Sequence, residues 1–262
     1  PATPGFTPSA IDSPTAQRDV PRVPIHATRV EGSINLVGGR LDDLVLRDYH
    51  EQVEKTSPLV RLLEPRADPQ PYYAQFGWTA ETPGLRVPDS DTIWTATPGE
   101  LTEKTPVSWD NGAGVVYEIE IGVDDYYLFT AHQRLRNNTD APVAAHPWSR
   151  IRRDYKPVTS GYYILHEGPL GVLDGTLREQ SYDKAKSESD KTKGASLEVQ
   201  TKGGWAGITD KYWLTALIPD QAVPVVGSFL HRTENNSDRY QVAFVQPEAT
   251  IVAPGTDAVT VA

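Results

Sequence analysis

The sequence predicts an all-β protein, two large packed antiparallel sheets with few or no helices, and three observations carry that expectation. From Ile25 onward, short apolar alternations recur and are broken by Gly, Pro, Asn and Asp, the pattern of strands and turns in antiparallel sheets. The 22 prolines and 20 glycines are spread along the 262 residues, which disfavours long helices and repeated α/β units. Helical periodicity is scarce, so the 38% hydrophobic content is expected to reach a core through strands.

Taken in order, residues 1–24 hold Pro1, Pro4, Pro8, Pro14, Pro21 and Pro24 among Thr, Ser and Ala, a semi-extended linker suited to a tether. Residues 25–262 are expected to form one folded domain. Strands are predicted at 25–30, 41–47 and 59–63; in 42–55 a helix would place Leu44, Leu46 and Tyr49 on one side, but Leu44 and Leu46 fit period two, so strand then loop is the reading. In 71–78 the apolar positions do not alternate cleanly, which asks for a second sheet or a partner. The clearest hairpin is 115–121, with Val115, Tyr117, Ile119 and Ile121 on one face and Val116, Glu118 and Glu120 on the other. A turn at 122–125 returns it as 126–135, and Asn137, Asn138, Thr139 and Asp140 supply the next turn. Further strands are predicted at 143–152, 197–201, 212–218, 223–232, 240–246 and 250–252. The mixed-sign run 183–193 reads as solvated loop.

Composition excludes several function classes. The absence of Cys removes disulfides, thiolate metal sites and cysteine nucleophiles. A net charge of −10 works against nucleic acid and anionic lipid as partners. No window approaches the roughly 18 apolar residues of a membrane helix, so any attachment to a membrane is expected through segments outside this sequence. A start at Pro1-Ala2-Thr3, with no Met and no signal peptide, suggests a processed product or an excised fragment.

Motif chemistry is equally sparse. His26, His50, His132, His146, His166 and His231 never fall at metal-ligand spacings, so no metal is expected. Neither a nucleophile elbow nor a phosphate loop occurs, and Gly38-Gly39 and Gly203-Gly204 read as turns or close backbone approaches. The 35 acidic residues offer too many carboxylate pairs for sequence to single out one. No cofactor or catalytic residue is expected. Exposed aromatics are the remaining candidates for a ligand or interface surface, and Tyr72, Tyr73, Trp78, Trp205, Tyr212 and Trp213 are the set singled out, although such rings more often serve a core.

Three strings, GSINLVGGRLDDL at 32–44, PYYAQFGW at 71–78 and GGWAGITDKYW at 203–213, together resemble the periplasmic domain of the YidC membrane-protein insertases of Gram-negative bacteria, in the alphaproteobacterial version. The resemblance extends from about Ile25 to the end and includes the Pro-rich leader. It implies a large antiparallel β-supersandwich similar to galactose mutarotase-like carbohydrate-binding folds, held on the periplasmic side of the inner membrane. The function it implies is that of a non-catalytic accessory domain that assists insertion and folding of membrane proteins, with the Sec translocon, its auxiliary subunits and nascent membrane proteins as partners. By the same analogy the stretch 155–205 faces a partner. The sugar-handling chemistry of mutarotases would need a Glu and a His in recognisable strands, and Phe129-Thr130-Ala131-His132 lacks the surrounding pattern. The short helices that end this domain in the family are not expected in residues 259–262, whose composition is strand-like. The alternative is a carbohydrate- or peptide-binding module that uses the concave face of the sandwich.

Overall fold

A computed structural model describes residues 20–96, 104–159 and 165–261; the leader through residue 19 lies outside them. In chain order the strands are β1 (Arg22–His26), β2 (Val30–Asn35), β3 (Arg40–His50), β4 (Leu59–Leu63), β5 (Tyr72–Ala80), β6 (Thr95–Ala96), β7 (Lys104–Asp110), β8 (Val115–Val123), β9 (Phe129–Asn137), β10 (Val143–Arg153), β11 (Gly168–Leu173) and β12 (Thr176–Glu179). The helix α1 (Tyr182–Thr192) follows, and then β13 (Ala195–Lys202), β14 (Trp205–Thr209), β15 (Leu214–Leu217), β16 (Pro224–Glu234), β17 (Ser237–Val245), β18 (Thr250–Val252) and β19 (Thr256–Val261).

The all-β architecture holds, but it divides into three sheets where two were expected. One ten-stranded sheet runs β1-β2-β3-β5-β10-β17-β16-β13, with β4 and β18 as side branches on β3 and β10. A five-stranded sheet, β19-β9-β8-β7-β6, and a four-stranded sheet, β12-β11-β14-β15, form the second layer. Both cover the same face of the large sheet. On β5 this is visible residue by residue: Tyr72 reaches the four-stranded sheet, its hydroxyl donating to the Ile208 carbonyl at 3.4 Å, whereas Trp78 packs on Tyr117 of the five-stranded sheet at 5.0 Å between ring centroids. Ala74 and Phe76 fall between them, beneath the seam.

Strand β5 explains why its sequence refused to alternate. It is central, paired with β3 and β10, and buried on both faces from Tyr72 to Trp78. Even-numbered residues face the second layer; the odd-numbered Tyr73 and Gln75 face the other way, where Gln75 sits in register between Arg40 and Arg150.

Several sequence expectations are corrected. The stretch 25–30 is the end of β1, a turn closed by Ala27 N–H donating to Val30 O at 3.1 Å, and the start of β2. The returning arm of the hairpin begins at Phe129, because the Asp124 side chain accepts from the N–H groups of Tyr126 (2.7 Å) and Leu128 (2.9 Å) and Tyr127 takes a positive φ of 70°. Most of the charged run read as loop is α1. Its N-cap Ser181 accepts from Lys184 N–H, Asp183 and Lys191 suit the dipole at either end, and Lys193 closes it in the left-handed region. Only Tyr182, Ala185 and Ser189 are buried, a stripe too small and polar to register as an amphipathic face.

Candidate functional site

The seam between the two covering sheets opens into a cavity of about 560 Å³. Its floor is the large sheet, through Leu41, Ala74, Phe76 and Ile151; one wall is β15 from Leu214 to Leu217, the other Phe129, Thr130 and Ala131 of β9. The lining is overwhelmingly apolar. At the mouth stand Tyr49, Leu128, Leu214, Ile218 and Val261, all exposed large hydrophobic side chains. Their clustering is the informative feature, since isolated exposed leucines need no explanation but a contiguous apolar mouth marks an interaction surface. The mouth is held open by packed rings: Tyr49 lies edge-on to Trp213 at 5.1 Å and 6.2 Å from Tyr127, whose hydroxyl donates to Asp48 Oδ2 at 2.8 Å.

Behind the wall formed by Tyr49, Leu62 and Trp213 lies a second, more polar compartment of about 740 Å³. Tyr72, Tyr155 and Tyr212 supply rings to it, and Glu51, Glu64, Asp210, Arg61 and Arg153 supply charge. The Arg153 guanidinium is buried, grips both oxygens of Asp210 at 2.7 and 2.6 Å, donates to Tyr182 Oη at 2.7 Å and lies 4.2 Å from the centre of the Tyr72 ring. Burial pushes the Tyr72 hydroxyl up to about 12 although Arg153 pulls it down. Burial also raises the Glu64 carboxyl, against the pull of Arg61 and with the repulsion of Asp68. This network ties β10, the end of β14 and α1 together, so the compartment floor is rigid.

The six aromatics expected from sequence do not form one site. Tyr72 is buried beneath the polar compartment, Tyr73 is buried on the opposite face of β5 beside the Arg40 guanidinium, and Trp78 is buried against Tyr117. Trp205 is half-buried on β14 and lines neither space. Only Tyr212 and Trp213 stand at the openings, Trp213 in the wall shared by both. Sequence reasoning missed Tyr49, Tyr127 and Leu128, which sit at a strand end and in a turn where periodicity carries no signal. Among the described residues no group of three or more His, Asp or Glu side chains could hold a metal ion.

The family model described as "YidC periplasmic domain" matches residues 22–262. The chain is 50% identical over 238 residues to the membrane protein insertase YidC of Granulibacter bethesdensis and 46% identical over 252 residues to that of Acidiphilium cryptum, covering 90% and 92% of itself. It spans only 41% and 42% of those relatives. Among solved structures, a galactose mutarotase-like protein from Lactobacillus casei superposes with a TM-score of 0.54 at 9% identity, covering 92% of this chain and 98% of that one. The Slr1438 protein of Synechocystis sp. PCC 6803 does so with 0.53 at 8% identity, covering 97% of each. At such identities the likeness concerns the fold alone.

Proposed function

The chain belongs to the YidC periplasmic-domain family, and from that membership we propose that it serves as a non-catalytic accessory domain of the insertase, receiving apolar stretches of membrane proteins as they emerge on the periplasmic side. The Pro-rich tether expected over residues 1–24 is shortened by β1, which begins at Arg22, and the part before that strand takes the tether role. The observation that supports this reading most is the apolar cavity with its exposed mouth of Tyr49, Leu128, Leu214 and Ile218. Insertion transiently presents apolar segments to water, and a surface of this kind lowers the cost of that exposure at roughly 25 cal/mol per Å² covered. Auxiliary subunits of the Sec translocon contact the stretch 155–205, where α1 presents exposed Lys184 and Lys191.

The test is site-specific photo-crosslinking in a full-length insertase carrying this chain, during insertion of one Sec-dependent and one Sec-independent membrane protein. A probe at Tyr49 or Leu128 is expected to form adducts with the nascent protein well above a probe at exposed Leu177, which lines neither space. A probe at Lys184 is expected to reach a translocon subunit only with the Sec-dependent protein. Adducts at Tyr49 and Leu128 no more frequent than at Leu177 overturn the substrate reading.

A further inference from the structure

The walls of the seam cavity carry more than apolar side chains. β15 ends the four-stranded sheet, so its outer edge has no partner strand among the described residues. Opposite it stand Phe129, Thr130 and Ala131 of β9, which pair with β8. In an antiparallel ladder successive residues direct both their N–H and C=O alternately to the two sides, so the open edge of β15 presents backbone donors and acceptors. Residues 214–217 and 129–131 all line the cavity. A hydrocarbon chain fills such a space but leaves those groups unpaired; extended polypeptide satisfies both the volume and the hydrogen bonds.

Charge adds direction. In the polar compartment Arg153 is committed to Asp210, and Arg61 is committed to Asp43 (3.0 Å) and Asp68 (2.8 Å). Glu51 and Glu64 line this compartment and have no cation within ion-pair distance among the described residues. β15 begins at Leu214, directly after Tyr212 and Trp213, so its N-terminal end abuts this compartment. A strand added antiparallel to β15, the commoner pairing, ends with its C-terminal side there.

We propose that the seam binds an extended peptide by antiparallel strand addition to β15, placing alternate apolar side chains in the cavity and a Lys or Arg on their C-terminal side beside Glu51 and Glu64. This rests on the accessory reading above and names the chemistry of its ligand: an apolar tract followed by a basic residue, taken in extended rather than helical form. Tyr49 and Trp213 form the partition between the two subsites, and their rings suit the aliphatic stem of a long basic side chain.

The experiment titrates this 262-residue chain into a fluorescein-labelled peptide, Ser-Val-Thr-Leu-Ser-Val-Lys, and reads anisotropy. Binding is expected to saturate. N-methylation of alternate amides, which removes donors and leaves every side chain, should weaken it by about tenfold or more. Replacing the peptide's Lys by Glu should weaken it by about fivefold, and the double variant Glu51→Gln/Glu64→Gln should erase that preference. Because the decisive changes are in the peptide, a misfolded variant cannot imitate the result. Equal binding of the N-methylated peptide, or a Lys-to-Glu exchange without effect, would each overturn the proposal. Absent peptide binding alongside strong Tyr49 crosslinks sinks strand addition and leaves the accessory function standing; peptide binding without crosslinks does the reverse.

Discussion

Replacing Asp210 by Asn tests whether the Arg153 network holds the layers in place. The Arg153 side chain is 3% exposed and Asp210 28%, so the substitution removes the bidentate partner of a guanidinium that has little access to water. Burial works against the charge on Arg153, but the Asp210 hydrogen bonds help to outweigh it and hold its pKa above the ordinary value. Arginine stays a cation near neutral pH with or without that partner, so after the substitution the guanidinium must be carried by one amide oxygen and by Tyr182. Breaking a fully buried ion pair costs about 3–5 kcal/mol; with Asp210 partly open to water, the expected loss is about 2–3 kcal/mol. For a chain of this length that corresponds to a fall in Tm of about 5–10 °C. Urea unfolding followed by tryptophan fluorescence measures it. The double variant Arg153→Met/Asp210→Asn should recover part of the loss, because the stranded charge is gone. A loss for Asp210→Asn below about 1 kcal/mol, or no recovery in the double variant, refutes the reasoning and makes the ring contacts the true support.

Acid should loosen the attachment of α1. Burial pushes the Asp238 carboxyl up, but the hydrogen bonds from Lys186 and His231, both 2.8 Å, outweigh it and leave it below the ordinary 3.8. A depressed carboxylate contributes stability that is present above 3.8 and is lost as pH falls through the lower folded value, so the stability difference between the native chain and Asp238→Asn should shrink below that pH. A difference that stays constant from pH 7 to 2 contradicts this. Gly204 has φ +91° and an added Cβ would stand 2.1 Å from the Val172 carbonyl oxygen, so Gly204→Ala should cost about 3 kcal/mol or more in urea unfolding. At Gly112, φ +71° with open space around it, the same change should cost only about 1–2 kcal/mol; similar losses at both positions would mean that the sheet yields at Gly204.

What was legible in the sequence follows from how far each signal is local. β4 and β18 appear with the expected bounds, 59–63 and 250–252, and β8 shows its alternation because one face of it stays wet. β5 hid its strand character by being buried on both sides, and α1 hid because Ala185 and Ser189 complete a stripe begun by a single Tyr182. The partition into three sheets could not be read, since it depends on which edges pair across more than a hundred residues, as β19 does with β9. The site has the same character. Tyr212 and Trp213 stood out as rings, yet their significance comes from Tyr49 and Leu128, brought to them by chain segments far away in sequence.

On the face of the ten-stranded sheet turned away from the second layer, Asn35, Arg40, Gln75 and Arg150 stand in register across four neighbouring strands, all buried. They bond largely to one another and to the chain. Gln75 donates to Gly38 O at 2.7 Å and accepts from Arg150 at 2.5 Å, Arg40 donates to Ser90 O at 3.0 Å, and Asp42 binds Arg22 and Asn35. A buried polar layer bonded in this way resists rearrangement, because any group pulled from its partner is left unpaired in a low-dielectric setting. The seam differs: the proposed peptide would pair with the edge of β15, unpartnered among the described residues, and fill an apolar volume. The proposed peptide site therefore lies where the second layer splits, on the face of the large sheet opposite this polar layer.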